Sequence, residues 1–136
     1  MNTIINIVLV DDHTLFREAV AEVFLADPAL QVVGQCGTAE EAVCLTKRLH
    51  PDIILLDLGI PGGGLTSARI LAKETPDSRI IILTSSEAED DMMEASKIGV
   101  SAYLLKGISG RVLRDTIHAV CRADCISKAP LRGEGA

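Results

Sequence analysis

Four groups of polar residues each follow a short apolar run in this chain. Asp11 and Asp12 follow residues 4–10, Asp57 follows 53–56, Thr84 follows 80–83, and Lys106 follows 102–105. Runs of this kind read as strands buried on both faces. In an open parallel α/β sheet, the carboxyl ends of the strands line the ligand crevice. Such a sheet would gather three carboxylates, one hydroxyl and one ammonium in one pocket. Crowded carboxylates call for a divalent cation with oxygen ligands, such as Mg²⁺. The ammonium and hydroxyl supply charge and donors suited to a phosphoryl group.

Each residue also has a plainer role. Asp11 and Asp12 could cap the helix that follows and complement its dipole. Lys106 could extend its ammonium into water. Thr84 is informative only by position. Asp57 is harder to dismiss, because a carboxylate directly after Ile-Ile-Leu-Leu carries a large desolvation cost unless it is paired, metal-bound or at an exposed rim. It could also act as a nucleophile and form an acyl phosphate.

The elements that must position these residues alternate five times between strand and helix patterns. Strands are expected over 2–10, 30–34, 53–57, 79–83 and 102–105. Between them, residues 13–26 place Leu15, Phe16, Ala19, Val20, Val23 and Phe24 at helical spacing. Thr38 with Glu41, and Ser86 with Glu89, are capping-box pairs that open helices ending near Leu49 and Ile98. A helix over 65–74 follows a loop rich in Gly and Pro. Ser109 caps a last helix with Val112, Leu113, Ile117, Val120 and Cys121 on one side. Five such units predict a doubly wound α/β fold: one five-stranded parallel sheet with helices on both faces. The pattern ends at Ala123, so one domain is expected over 1–123 and a linker or disordered tail over 124–136.

The totals narrow the function classes. A chain of 136 residues suits a single domain. The apolar runs fall far short of the roughly 20 residues a membrane span requires, and the N-terminus has no basic leader pattern, so cytoplasmic residence is the expectation. A net charge of −6 and only three aromatic side chains (Phe16, Phe24 and Tyr103) disfavour direct contact with nucleic acid. Cys36, Cys44, Cys121 and Cys125 form no CxxC pair and make no metal spacing with His13, His50 or His118. They read as small, mostly buried hydrophobes in a reducing compartment.

Four motifs together carry a resemblance: Val-Asp-Asp-His (10–13), Leu-Leu-Asp-Leu-Gly-Ile-Pro-Gly (55–62), Leu-Thr-Ser (83–85) and Tyr-Leu-Leu-Lys-Gly (103–107). In this order and at this spacing, the chain resembles a receiver domain of a two-component response regulator over about residues 3–123. Phe16-Arg17 and Val32-Val33-Gly34 are similar to regulators of the NarL/FixJ (LuxR-type) class. The resemblance implies a flavodoxin-like, CheY-like (βα)5 fold. It implies that Asp57 accepts phosphate from a sensor histidine kinase. Asp12 would ligate Mg²⁺ directly, Asp11 through a water, and Gly59 through its backbone carbonyl. Thr84 and Lys106 would hold the phosphoryl group, and Tyr103 would be the switch aromatic. It further implies a non-enzymatic protein with at most slow self-dephosphorylation, which forms a homodimer on phosphorylation. DNA would be bound only through an attached helix-turn-helix domain that this sequence does not contain.

Two departures from the family pattern stand out. Gly107 follows Lys106 where many receivers carry proline. The segment Pro61-Gly62-Gly63-Gly64 is one residue short and is expected to be mobile, which bears on the placement of Gly59. Other readings are a haloacid-dehalogenase-type phosphatase, which needs an Asp where Gly59 stands, and an FMN carrier, whose phosphate loop would meet Asp11-Asp12-His13. A stand-alone or degenerate receiver, acting as a protein-binding module, is the remaining alternative.

Overall fold

The central strands are apolar at nearly every position because both of their faces are covered. The computed structural model describes residues 3–127. Its strands are β1 (Ile5–Val10), β2 (Leu30–Cys36), β3 (Ile53–Leu56), β4 (Arg79–Thr84) and β5 (Ala102–Leu105). They pair in parallel in the order β2-β1-β3-β4-β5. Parallel neighbours require crossovers, supplied by α1 (Thr14–Leu25), α2 (Ala39–Leu49), α3 (Gly64–Glu74) and α4 (Glu89–Ile98). A fifth helix, α5 (Gly110–Ser127), completes the fold.

Alternate strand residues serve opposite layers, as the period of two dictates. Ile7, Leu9, Ile53, Leu55, Ile81 and Leu83 pack against Val20 and Phe24 of α1 and Leu113, Ile117 and Val120 of α5. Val8, Val10, Ile54, Leu56, Ile80 and Ile82 pack against Ala42 of α2, Ala68 and Leu71 of α3, and Ala95 of α4. This is the doubly wound, five-stranded (βα)5 sheet expected from the sequence. β1 leads to β2 on one side and borders β3 on the other, so the chain reverses direction across the sheet at β1 and β3. Ligand crevices form at such a switch point.

Several local expectations are corrected. Thr3 and Ile4 precede β1 rather than belonging to it, and Asn2 lies outside the described residues. Gly34 does not end β2. The strand runs on to Cys36, and its pairing with β1 shifts register between Ile7 and Val8. A Cβ at Gly34 would sit 2.9 Å from Leu45, so glycine there lets α2 approach a bulged strand. The Ser86–Glu89 capping box does not form: α4 starts after Ala88, and Ser86 Oγ instead donates to Asp91 at 2.5 Å. The Thr38 box does form, with Thr38 Oγ1 accepting from Glu41 N–H at 3.1 Å. Ser109 caps α5 through Val112 N–H.

Leu15, Val112 and Cys44 face solvent, the first at 82 % exposure, because each lies on the edge of its helix's apolar stripe rather than at its centre. Helix α5 continues to Ser127, past the boundary expected at Ala123. No Gly or Pro interrupts the chain between Gly110 and Pro130, so nothing stops the helix where the apolar pattern fades. The rest of the expected tail, 128–136, and the surroundings of Cys125 lie outside the described residues.

The glycine-rich loop is pinned rather than loose. Gly63 N–H donates to Ile60 O, Gly64 N–H to Leu58 O, and Ala39 N–H to Pro61 O, at 3.0, 3.1 and 2.9 Å. Gly62 and Gly63 both have φ of 91°, a conformation side chains disfavour. Gly64 is needed for space, since a Cβ would lie 2.4 Å from Leu58 Cα and 2.6 Å from the Asp57 carbonyl oxygen.

Candidate functional site

Backbone hydrogen bonding runs past the strand ends and fixes the site residues in register. Asp11 N–H donates to Cys36 O at 3.0 Å, Asp57 N–H to Val10 O at 2.9 Å, and Lys106 N–H to Thr84 O at 2.9 Å. The sheet itself therefore aims these side chains into the crevice. Asp11, Asp57 and Thr84 are buried, at 5, 5 and 3 % exposure. Asp12 is exposed at the rim.

The crevice holds one ammonium among three carboxylates. Lys106 Nζ lies 2.7 Å from Asp11 Oδ2 and 3.5 Å from Asp57 Oδ2. It also sits 4.4 Å above the Phe16 ring centroid, a cation–π contact. Lys106 therefore rests more closely on Asp11 than on Asp57. Ligand atoms of Asp11, Asp12, His13 and Asp57 all lie within 4.8 Å of one another. Carboxylate oxygens at that spacing, with more negative charge than Lys106 can offset, suit a hard cation. Gly59 abuts the cluster, since a Cβ there would lie 3.5 Å from Asp57 Oδ2.

Thr84 opens a chain of hydrogen bonds leading away from the crevice. Its Oγ1 accepts from Ser86 N–H at 3.3 Å. Ser86 O accepts from the Tyr103 hydroxyl at 3.0 Å, and Ser86 Oγ reaches Asp91 in the first turn of α4. Tyr103 is half-buried on edge strand β5, packed against the α2–α4 layer. Its burial pushes the phenol up from its ordinary pKa.

The structure thus brings together Asp11, Asp12, Asp57 and Lys106, with Gly59 beside Asp57, Thr84 joined to Lys106 through the backbone, and Tyr103 joined to Thr84 through Ser86. Four residues escaped sequence reasoning as site members: His13, Phe16, Arg17 and Ser86. His13 Nδ1 lies 3.1 Å from Asp11 Oδ1, and its N–H donates to the same oxygen at 2.8 Å. Arg17 Nη1 donates to the Asp11 carbonyl. For His13, Phe16 and Arg17 a signal was available, because they lie in or beside the first turn of α1, directly after Asp11-Asp12.

Known proteins agree with this geometry. The family model described as "Response regulator receiver domain" matches residues 7–118. The chain is 36 % identical over 117 residues to the DNA-binding transcriptional activator DevR/DosR of Mycobacterium tuberculosis, covering 85 % of this chain and 54 % of that protein. It is 38 % identical over 114 residues to the nitrate/nitrite response regulator NarP of Escherichia coli, covering 83 % and 53 %. A solved LuxR-family two-component response regulator from Aurantimonas superposes with a TM-score of 0.84 at 30 % identity, covering 89 % of this chain and 87 % of that one. The chain spans about half the length of the curated relatives it matches. With its doubly wound sheet, its acidic crevice and these matches, the chain belongs to the response regulator receiver domain family, in its NarL/FixJ class.

Proposed function

We propose that Asp57 accepts a phosphoryl group from the phosphohistidine of a sensor histidine kinase. The observation that carries this is a buried carboxylate with an ammonium 3.5 Å away and two further carboxylates within 4.8 Å. An Asp57 oxygen attacks phosphorus, the P–N bond of the donor breaks, and the histidine nitrogen leaves with its electron pair. Mg²⁺ held by Asp12, Asp57 and the Gly59 carbonyl, with Asp11 acting through a water, would neutralise phosphoryl oxygens. Lys106 transfers its contact to a phosphoryl oxygen, and Thr84 donates its hydroxyl to another. The chemistry is stoichiometric rather than catalytic, ending with slow hydrolysis of the acyl phosphate.

The modified residue carries nearly two negative charges where there was one. Thr84 and Lys106 follow that charge, and the chain through Ser86 carries the change to Tyr103 and α4. The named functions of the relatives support an output in transcription, delivered through an attached DNA-binding helix-turn-helix domain and strengthened by dimerisation. No helix among the described residues is long and apolar enough to cross a membrane, and the cytoplasm is the compartment this function needs.

The test is intact-protein mass spectrometry after incubation with Mg²⁺ and a small acyl phosphate, beside Asp57→Asn. One phosphoryl adduct on the wild type, lost in the variant and on chelation, is expected. No adduct on folded wild-type protein, or one that persists in the variant, refutes the assignment.

A further inference from the structure

The start of α1 places an imidazole against the acidic crevice. His13 is the N-cap of α1, yet its side chain makes no capping hydrogen bond, and 69 % of it is exposed. Neither the helix nor the core gives a reason for a histidine there. Its Nδ1 instead faces the carboxylates, 3.1 Å from Asp11 Oδ1 and 3.4 Å from Asp12 Oδ1. A surface histidine beside two acids can be a plain ion pair, worth little at this exposure. This one has a third neighbour that a plain pair lacks. A ring nitrogen lies within 4.8 Å of ligand oxygens on Asp11, Asp12 and Asp57 together.

The spacing suits coordination. Two ligands at right angles, each about 2.1 Å from a metal ion, stand about 3.0 Å apart. The distances from Nδ1 to the two aspartate oxygens are close to that value. The backbone holds the residue in place, because His13 N–H donates to Asp11 Oδ1 at 2.8 Å. The ring therefore stays beside the carboxylates whichever way its own proton lies.

A nitrogen among oxygens changes which ions are preferred. Mg²⁺ takes oxygen ligands and keeps several waters, so it gains little from an imidazole. Mn²⁺, Co²⁺, Ni²⁺ and Zn²⁺ accept imidazole readily. We propose that His13 is a nitrogen ligand of the crevice cation, and that it tilts the site toward divalent transition ions over Mg²⁺. The proposal rests on the crevice being a cation site, and adds the class of ion. It does not depend on Asp57 being the phosphoacceptor.

Isothermal titration calorimetry of the full chain with Mg²⁺ and, separately, Co²⁺ gives both affinities for the wild type and for His13→Ala. The substitution removes no capping hydrogen bond, and circular dichroism confirms folding. Co²⁺ affinity should fall at least about tenfold in the variant, while Mg²⁺ affinity stays within about threefold. Pulsed electron paramagnetic resonance on bound Mn²⁺ supplies a direct signature. The wild type should show modulation from a coordinated imidazole nitrogen, lost when excess Mg²⁺ displaces the ion. In His13→Ala the Mn²⁺ should still bind without that modulation. Equal losses for Mg²⁺ and Co²⁺, or no loss for Co²⁺, overturn the proposal. So does bound Mn²⁺ without the imidazole signal in the wild type, or a signal that excess Mg²⁺ leaves in place. A folded wild type that binds none of these ions overturns the cation site itself, and the role of His13 with it.

Discussion

Replacing Asp57 by Asn should make this protein more stable, although it removes the proposed phosphoacceptor. The like charges of Asp11 and Asp57 lie within 4.8 Å, a repulsion of about 3.5 kcal/mol at an effective dielectric constant of about 20. Asp12, with 38 % of its side chain exposed, is screened and adds about 1 kcal/mol. Lys106 at 3.5 Å returns about 4.7 kcal/mol on the same scale. These contributions nearly cancel, so nothing offsets the desolvation of a carboxylate that is 5 % exposed. Burying an amide instead costs less, about 1–3 kcal/mol. Asp57→Asn should therefore gain about 1–3 kcal/mol in the absence of metal, or roughly 3–10 °C in Tm for a chain this size.

The assay is thermal unfolding followed by circular dichroism, first in chelator and then in Mg²⁺. A divalent ion at a hundred times its Kd adds about 2.7 kcal/mol to the protein that binds it. The wild type keeps the full carboxylate set, so its deficit should close or reverse in Mg²⁺. An Asp57→Asn variant that melts at or below the wild-type temperature in chelator would refute the reasoning. It would mean that Lys106 serves Asp57 as well as it serves Asp11.

Other expectations follow from single sites. Gly64→Ala should cost about 3 kcal/mol in urea unfolding, the upper end for overpacking, because the new Cβ meets backbone on two sides; an unchanged midpoint refutes the close approach. Burial pushes the Cys36 thiol up to about 11, while Cys44 is exposed. Iodoacetamide at pH 8 should therefore label Cys44 at least about a hundredfold faster than Cys36, read by peptide mass spectrometry. His118 Nε2 lies 2.7 Å from Asp27 Oδ2 and holds that carboxyl below its ordinary range. A depressed carboxylate stabilises above its unfolded pKa of about 4 and loses that contribution as pH falls through the native value. The Tm advantage of wild type over His118→Gln should thus be present at pH 5 and shrink below pH 4; an advantage that grows on acidification refutes the pairing.

Much of the fold was legible because burial on both faces leaves a plain signature. Ile53–Leu56 is apolar throughout for that reason, and the polar residue after it marks the strand end. Asp11, Asp57, Thr84 and Lys106 could be placed together because topology alone brings strand ends to one edge. What could not be read depends on contacts between distant segments. Ser86 has the sequence of a capping box, yet its hydroxyl goes to Asp91 and its carbonyl accepts from the distant Tyr103. Three glycines in a row suggest a loose loop, whereas two supply left-handed turns and the third clears the Asp57 carbonyl. The preference of Lys106 for Asp11 over Asp57 is a difference of 0.8 Å, set by side-chain geometry that no motif encodes.

That preference leaves Lys106 only loosely engaged with Asp57, the residue proposed to take up the phosphoryl group. Lys106 is held to Thr84 through its backbone, and Thr84 is held to Ser86 through its hydroxyl. If Lys106 and Thr84 move toward new charge on Asp57, Thr84 must give up the Ser86 N–H or draw the loop with it. Either response reaches Asp91 and Tyr103, which share Ser86 as their partner. A contiguous chain of contacts is not itself proof of coupling, so the decisive perturbation is at the shared residue. Ser86→Ala removes the hydroxyl link to α4 but leaves Asp57, Lys106 and Thr84 intact. The variant should take up phosphoryl as the wild type does by mass spectrometry. Hydrogen exchange of the α4 amides should then change on phosphorylation in the wild type and stay flat in the variant. Equal changes in both would show that the signal reaches α4 by another route, with Tyr103 the next residue to test.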